Sequence, residues 1–476
     1  MHTRSPDMCH GPIAMPLLRY TIPLLLTGLL QRFFVAIDMV LAGQLGTSGS
    51  DAVAAVGSTT ALTGMLIGFF IGCSSGSAVA VSHALGGENH KLTGQTVHSA
   101  MLMSVIVGAI MMAVGLLASK SVLIAMNTPE YILGLATVYL RTYFCSMIPN
   151  MVYNFGAAIL RTAGDTQKPL FFLLVSGPVK VVLTVLFVSG MGMDVAGLAL
   201  ATTLSQALSA ILVVIALMKR TDACRLELRK LRFHASPVKK ILSLGVPAGI
   251  QSATFSLSGV IIQTSVNSLA HLEGFITGNS AATSIEGISE ATTAAFMQAG
   301  MSYAGQNTGA KRYDRVKKIL FWNCALCSAC ILVISPLVLL FDEQLLRLYI
   351  TDSPAAIAWG AVRIAFVFTP LLFQGLMDAV SGVLRGLGAS VSCMIINLVG
   401  ICGFRILWLL TVFSIPKYHT PQCLYIIYPI AWVLTTAAEL VLYKILIRKK
   451  TKELKEQGIL SEEEFNMLKA DWMKKL

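Results

Sequence analysis

Apolar runs long enough to cross a lipid bilayer recur along nearly the whole of this 476-residue chain. A membrane-spanning helix needs about 20 predominantly apolar residues. Only 13% of the residues are charged, whereas a soluble globular protein carries about a quarter. A large soluble core would not repeat runs of this length. The first run is also too long for a cleaved signal peptide, so we expect it to be retained. The sequence therefore predicts an all-α, polytopic membrane protein.

The charged residues between the apolar runs predict the topology. Alternate loops are rich in Lys and Arg, above all the segment 219–240, whereas the intervening loops hold only Lys120, Arg347 and Lys417. Because positive loops stay on the cytoplasmic side, both termini are predicted to be cytoplasmic. The same rule accounts for the net charge of +12, so no nucleic-acid partner is implied. The twelve predicted spans cover roughly residues 15–45, 52–85, 94–118, 130–160, 168–190, 194–218, 240–270, 276–306, 316–341, 355–385, 389–414 and 422–447.

An internal repeat divides the twelve spans into two sets of six. Residues 223 or 224 positions apart match across the basic linker 219–239, as Pro23 matches Pro247 and Arg161 matches Arg385. A stripe of small residues, which lets helix backbones approach closely in lipid, also recurs. We predict two homologous lobes, residues 1–218 and 240–448. The stripe consists of Gly64, Gly68, Gly72 and Gly76 in the second span and of Gly287, Ala291, Ala295 and Ala299 in the eighth.

The C-terminal segment 449–476 is highly charged and predicted to lie outside the membrane. Ser461 to Glu464 read as a capping box that opens a helix. The segment resembles the short SHOCT-like modules at the C-termini of unrelated bacterial proteins. Two interpretations stay open. The segment is either a helical hairpin for self-association or partner association, or a solvated tail that keeps the C-terminus inside.

Several charged residues fall inside predicted spans, where a charge is costly and marks a candidate functional site. Glu286 and Glu290 are four residues apart on one helix face. Two close carboxylates do not both ionise easily, which would make a proton site. The alternative is that only Glu286 is buried and Glu290 reaches the polar interface. The buried acids are Asp38, Glu286, Glu290, Asp378 and Glu439, and the deepest bases are Lys180 and Arg405.

Two of these acids lead to further hypotheses. Asp38 is the only obvious acid in the middle of the first six spans, so we predict an Asp38–Lys180 pair that breaks when Asp38 takes a proton. A static structural pair is the alternative. Asp378 occupies the repeat position of Asn154. The alternative to a coupling role for Asp378 is an ion pair with Arg405 or Arg363 that orders the second lobe.

Sequence motifs exclude some function classes and favour no cofactor. No Walker loop is present, so this chain holds no nucleotide site for ATP-driven pumping, and no His-Glu-x-x-His metal motif occurs. Cys324, Cys327 and Cys330 are spaced by three, but no fourth ligand is evident. Packing is therefore favoured over a metal site. An integral-membrane enzyme would need clustered His or Asp near the membrane surface, which the sequence lacks.

The first span and several loops resemble the multidrug and toxic compound extrusion (MATE) family. The resemblance rests on Ile22-Pro23 followed by Asp38 and Gly43-Gln-Leu-Gly46 in the first span. It extends to the segments 85–90, 160–166, 192–202 and 306–315. It implies a V-shaped, two-lobed antiporter in a bacterial plasma membrane that expels cationic or amphipathic compounds in exchange for protons or sodium.

The resemblance assigns roles to individual residues. Asp38 matches the cation-coupling aspartate of the first helix, Pro23 matches a proline associated with bending, and Glu286 lies where relatives often carry an acid. Pro247 is the repeat counterpart of Pro23. Some members have Asn and Asp where this chain has Lys180 and Thr184, and an ammonium there would compete with sodium. Proton coupling is therefore predicted, with Asn154, Thr184, Glu290 and Arg405 as polar residues of the substrate cavity or the scaffold.

Two alternatives to a multidrug exporter stay open. A flippase for lipid-linked oligosaccharides or other lipids has the same general architecture, and a cationic central cavity would point to it. Only Lys180 and Arg405 hint at such a cavity. A membrane sensor that recruits a partner through residues 449–476 is the other alternative.

Overall fold

The computed structural model describes residues 8–45, 49–350 and 353–457. All regular structure in these ranges is helical, as predicted. Two π-helical segments, Leu186–Gly190 and Leu398–Gly403, interrupt the helices of the fifth and eleventh spans. The α-helices are α1 (Ala14–Leu45), α2 (Gly49–Gly86), α3 (His90–Ala125), α4 (Glu130–Phe144), α5 (Met147–Thr162), α6 (Gln167–Val185), α7 (Asp194–Met218), α8 (Ala235–Asn267), α9 (Phe275–Gly309), α10 (Tyr313–Leu340), α11 (Asp342–Arg347), α12 (Pro354–Phe368), α13 (Leu371–Gly386), α14 (Ser390–Asn397), α15 (Phe404–Thr411), α16 (Pro421–Tyr425) and α17 (Ile427–Glu456).

Twelve membrane-crossing units can be identified within the described ranges. Eight segments are long and apolar enough to cross a bilayer singly, and two bent helix pairs pass the same test together. The other two units are α1, with 32 residues, and α9, with 35 residues, which correspond to the first and eighth predicted spans. At about 1.5 Å per residue, each exceeds the roughly 30 Å apolar thickness of a bilayer.

Two predicted spans are broken, and the prediction of continuous helices over 130–160 and 355–385 was wrong. The pair α4 and α5 bends by 45°, and the pair α12 and α13 bends by 47°. Proline explains both bends, since it interrupts the hydrogen bonds of a helix interior but is tolerated at a helix start. Pro149 lies in the first turn of α5 and Pro370 directly precedes α13. The bends occur at equivalent positions of the repeat.

The contacts divide the chain into two compact units. Among the described residues, the first contains 19–45, 49–85 and 89–264, and the second contains 8–18, 86–88, 265–350 and 353–457. The divisions therefore fall inside α1 and α8. The lobe boundaries predicted from the repeat, 1–218 and 240–448, stay a prediction about evolutionary halves.

Small residues bring helices close together within the first unit. A Cβ on Gly72 of α2 would lie 2.5 Å from the carbonyl oxygen of Ala248 on α8, and a Cβ on Gly245 would lie 2.5 Å from that of Cys73. The close approach predicted for the glycine stripe is confirmed at Gly72 and Gly76, whereas a Cβ on Gly64 would meet nothing within 4 Å.

The basic linker 219–239 is tied to the start of α3 by its backbone. The amide of Glu227 donates to Nε2 of His98 at 3.1 Å, and the amide of His234 donates to the Ser99 hydroxyl at 3.1 Å. Arg220 pairs with Asp222 at the linker's beginning. The linker is therefore an ordered segment, and α8 begins within its predicted bounds, at Ala235.

In the second unit, the residues that precede α1 are held by the end of α9, the start of α10 and the loop between them. Nδ2 of Asn307 donates to the carbonyl of Met8 at 3.0 Å, and Nη1 of Arg315 donates to the carbonyl of Gly11 at 3.0 Å. Arg312 donates to the carbonyl of Cys9 at 3.0 Å. The loop motif 306–315, which was noted in the sequence only as a resemblance, thus anchors an N-terminal segment.

The described part of the C-terminal tail continues the last helix. The helix α17 runs to Glu456 without a break at the predicted boundary of 448. Thr451 and Leu454 in this extension are buried. The predicted hairpin and its capping box lie mostly at 458–476, outside the described residues.

Candidate functional site: buried charges of the second unit

One face of α9 carries polar side chains at a seven-residue interval, which is close to two helical turns. Asn279, Glu286 and Thr293 occupy successive positions of this face. The helix packs along both halves of the bent pair α12 and α13. Asn279 and Glu286 meet α12, and Thr293 meets α13, so the polar face follows the neighbouring helix through its bend.

Glu286 of α9 and Arg363 of α12 form a two-pronged ion pair. Nε of Arg363 donates to Oε1 of Glu286 at 2.6 Å, and Nη2 donates to Oε2 at 2.8 Å. The side chains are only 12% and 6% exposed, respectively. A bidentate guanidinium–carboxylate pair is both stronger and more directional than a single charged hydrogen bond. The pair therefore fixes α9 against α12, on the N-terminal side of the bend between α12 and α13.

Arg363 makes further contacts, with an amide oxygen and with two aromatic rings. Nη1 donates to Oδ1 of Asn279 at 2.6 Å, and the same oxygen accepts a hydrogen bond from the Tyr425 hydroxyl at 3.0 Å. The guanidinium carbon lies 5.4 Å from the ring centroid of Tyr425 and 5.8 Å from that of Tyr428. Arg363 thus contacts one charge, one amide and two aromatic rings.

The structure places Glu290 differently from Glu286. Glu290 lies one turn further along α9 and is exposed, whereas Glu286 is largely covered by its pair with Arg363. This placement favours the alternative interpretation, in which only Glu286 is buried. Sequence spacing predicted the shared face but not the arginine, because the two residues are 77 positions apart.

Asp378 lies on α13, beyond the bend. Its neighbours are the Thr293 side chain and two charged residues, Arg385 and Glu290. Within the described ranges, no ion pair joins Asp378 to Arg363 or Arg405. The predicted alternative of such a static pair therefore does not hold for this conformation.

Arg405 on α15 is stacked on an aromatic ring. Its guanidinium carbon lies 4.5 Å from the ring centroid of Tyr428, the ring that also lies near Arg363. The Nε–H of Arg405 is buried and has no hydrogen-bond partner among the described residues. The residue as a whole is only half-buried. Two guanidinium groups therefore share one ring, and a single carboxylate, Glu286, forms an ion pair with one of them.

A second buried carboxyl was named in the sequence, but its surroundings were not predicted. Oε1 of Glu439 on α17 accepts hydrogen bonds from Ser381, from Nδ2 of Asn397 at 2.8 Å and from the Cys393 thiol at 3.5 Å. Glu439 is fully buried, and its Oε2 has no partner in the described chain. The three donors come from α13 and α14, so only the fold brings them together.

The predicted site of the first unit is partly described. The side chain of Asp38 lies outside the described part of the structure, so the Asp38–Lys180 pair stays a prediction. Gly177 of α6 packs directly against the ring of Phe34 on α1. The first and fifth predicted spans, α1 and α6, cross the membrane in the same direction. Positions 38 and 180 lie about one turn beyond the Phe34–Gly177 contact, so they lie at a similar depth.

Two further predicted polar residues of the first unit have contrasting contacts. The hydroxyl of Thr184 on α6 is buried and has no hydrogen-bond partner among the described residues. Nδ2 of Asn154 on α5 donates to the carbonyl and side-chain oxygens of Asn150, at 2.9 and 2.6 Å. Asn154 thus binds its own helix, unlike its repeat counterpart Asp378.

The prolines and cysteines singled out in the sequence have structural positions. Pro23 and Pro247 lie inside α1 and α8, respectively, and the Thr27 hydroxyl donates to the carbonyl of Pro23 at 2.7 Å. The thiol of Cys327 donates to the carbonyl of Gly375 at 3.5 Å. No group of three His, Cys, Asp or Glu residues within the described ranges could hold a metal ion.

Known proteins match most of the chain. A sequence model of the MatE family matches residues 23–186 and 247–410, the two halves of the repeat. The "Probable multidrug resistance protein YpnP" of Bacillus subtilis is 28% identical over 83% of this chain and 87% of its own length. A protein of Shewanella oneidensis named "FAD transporter" is 24% identical over 82% of this chain and 85% of its own length.

A solved structure shares the fold. An outward-facing multidrug resistance MATE family transporter superposes with a TM-score of 0.85 at 19% identity, covering 95% of this chain and all of that one. This likeness shows the fold, and the family match shows the class of function. The chain therefore belongs to the MatE family of membrane transporters, whose members carry small molecules across membranes and are not enzymes.

Proposed function

We propose that this transporter is a secondary active exporter that exchanges cationic or amphipathic compounds for protons by alternating access. The observation that carries the proposal is the Glu286–Arg363 pair beside the 47° bend between α12 and α13. A proton taken up by Glu286 removes one charge of the pair and loosens α9 from α12. Asp378 lies beyond the same bend and is the second coupling candidate of this unit. Two relatives named for multidrug resistance support efflux as the direction of transport.

Asp38 and Lys180 are proposed as the coupling pair of the first unit. The contact between Phe34 and Gly177 supports this pairing because it sets the register of α1 against α6. Protonation of Asp38 would break the pair. Lys180 disfavours sodium at this position because its ammonium repels a second cation.

The loop charges support a bacterial plasma membrane protein with both termini in the cytoplasm. The linker 219–239 carries seven Lys and Arg residues, and its ordered backbone presents them beside α3. Residues 449–476 are proposed to serve association through a cytoplasmic surface. Deletion of 458–476 tests the association without cutting the ordered helix α17.

Dye efflux from reconstituted vesicles tests the coupling. A pH gradient without sodium should drive transport by the parent protein, and Asp38→Asn should abolish it. Asp51→Asn is the matched control, because Asp51 is an exposed residue in the first turn of α2. Strict dependence on sodium, or full activity of Asp38→Asn, would contradict proton coupling at this residue.

A lipid flippase is the second candidate, because Arg405 lies at membrane depth without a carboxylate partner in the described structure. A lipid-linked oligosaccharide carries phosphate, which such an arginine would bind. Scrambling of a fluorescent lipid-linked sugar in the same vesicles, with no dye efflux, would favour this candidate over the exporter.

A further inference from the structure

The buried charges around Tyr428 do not balance. Arg363 and Arg405 both lie near its ring, at 5.8 and 4.5 Å, and Glu286 is the carboxylate that shares this environment. Glu286 is fully engaged with Arg363 through both of its oxygens. The cluster of Glu286, Arg363, Arg405 and Tyr428 thus carries a net positive charge that is located on Arg405.

The aromatic ring alone does not compensate this charge. A cation over an aromatic face gains less free energy than an unpaired charge loses when it is removed from water. In the same unit, the charge of Arg363 is compensated by a bidentate carboxylate and an amide oxygen. Arg405 has the ring but neither of the other two, and its Nε–H is buried without a partner.

The geometry around Arg405 fits one class of ligand. Its planar guanidinium presents forked donors that match the paired oxygens of a carboxylate or phosphate. The guanidinium lies over the ring of Tyr428, and the centroid of the Trp432 ring lies 5.9 Å from that of Tyr428. Arg405 is only half-buried, so part of the residue is accessible.

We propose that Arg405 and Tyr428 form the binding site for the anionic group, a carboxylate or a phosphate, of an amphipathic substrate. This inference rests on the proposed exporter function and names the chemical group by which the second unit recognises its substrate. Arg363, held by Glu286, is a positioning residue beside the ring of Tyr428. Compounds without an anionic group gain nothing from this site.

Binding of two matched dyes tests the proposal. Rhodamine 110 carries a free carboxylate, and rhodamine 123 is its methyl ester with the same ring system. With the full chain in phosphatidylcholine nanodiscs, and empty discs subtracted, fluorescence polarisation should show rhodamine 110 binding about tenfold or more tightly than rhodamine 123. Equal affinities for the unmodified protein would overturn the proposal without any variant.

Variants locate the effect. Arg405→Gln should remove the preference for rhodamine 110, and Arg405→Lys should retain part of it because the charge remains while the fork is lost. Arg347→Gln is the matched control, since Arg347 is an exposed arginine paired with Glu343 on α11. A preference that survives Arg405→Gln unchanged would overturn the proposal.

The lipid composition distinguishes two sources of the anion. If nanodiscs of phosphatidylglycerol weaken rhodamine 110 binding through Arg405, a lipid phosphate competes for the site. If the affinity is the same in both lipids, the site serves a soluble substrate. Both outcomes support an anion site. Because binding is measured without a gradient, loss of proton coupling in the vesicle assay leaves this result intact.

Discussion

The ion pair between Glu286 and Arg363 predicts a large and specific loss of stability. Glu286→Gln keeps the shape of the side chain but leaves Arg363 buried without a counter-charge, 6% exposed. The amide also places a donor against the guanidinium, where the carboxylate has its second acceptor. Breaking a buried pair from one side costs about 3–5 kcal/mol. We expect the free energy of unfolding in lipid bicelles to fall by this amount.

Two comparisons separate the pair from other effects. The double variant Glu286→Leu with Arg363→Met removes both charges, and it should lose much less than Glu286→Gln because an apolar pair of similar size is often neutral. Glu343→Gln breaks the exposed pair with Arg347, and it should cost less than about 1 kcal/mol. The reasoning is refuted if Glu286→Gln costs no more than Glu343→Gln, or if the double variant is the least stable protein.

Two further predictions concern helix contacts and the linker. Gly72→Ala inserts a methyl group where 2.5 Å separates the Cβ position from the Ala248 carbonyl, so thermal unfolding should show a loss of about 1–3 kcal/mol. Gly64→Ala, which meets nothing within 4 Å, should be neutral or stabilising. In the linker, partial burial raises the pKa of Asp222, but hydrogen bonding and charge from Arg220 outweigh it and hold the pKa below its ordinary value. This stabilisation is present above the unfolded-state pKa of about 4 and is lost as the pH falls through the lower folded-state pKa. Limited proteolysis of the linker in the parent protein should therefore increase only at such acidic pH. The Asp222→Asn variant should already be cleaved faster than the parent protein at neutral pH. Equal cleavage of the two proteins at neutral pH would contradict this contribution of Asp222 to stability.

Hydropathy and repetition predicted most of the fold, because apolar length and small-residue spacing are local properties. The glycine stripe identified Gly72 and Gly76 correctly as close contacts. Pro149 and Pro370 mark the two bends, but the sequence analysis did not predict them. A hydropathy profile does not distinguish a proline at a helix start from a proline inside a continuous span.

The candidate site was predictable in its parts but not in its pairings. Depth in the membrane identified Glu286, Asp378 and Arg405 as costly residues. Which of them pair depends on how α9 meets α12, and that contact joins residues far apart in sequence. The sequence suggested Arg363 only as an alternative partner of Asp378, yet it is the partner of Glu286. No local pattern distinguishes a paired from an unpaired arginine.

The anchoring of the segment before α1 has a consequence for biosynthesis. Met8 is held by Asn307, which is 299 positions further along the chain. At about 5–20 residues per second, the ribosome adds that anchor roughly 15–60 s after it has made Met8. The first span therefore enters the membrane with a leading segment whose final hydrogen bonds cannot yet form. Assembly of this segment is among the last steps of maturation, and a bulky N-terminal fusion should impair it more than a C-terminal one.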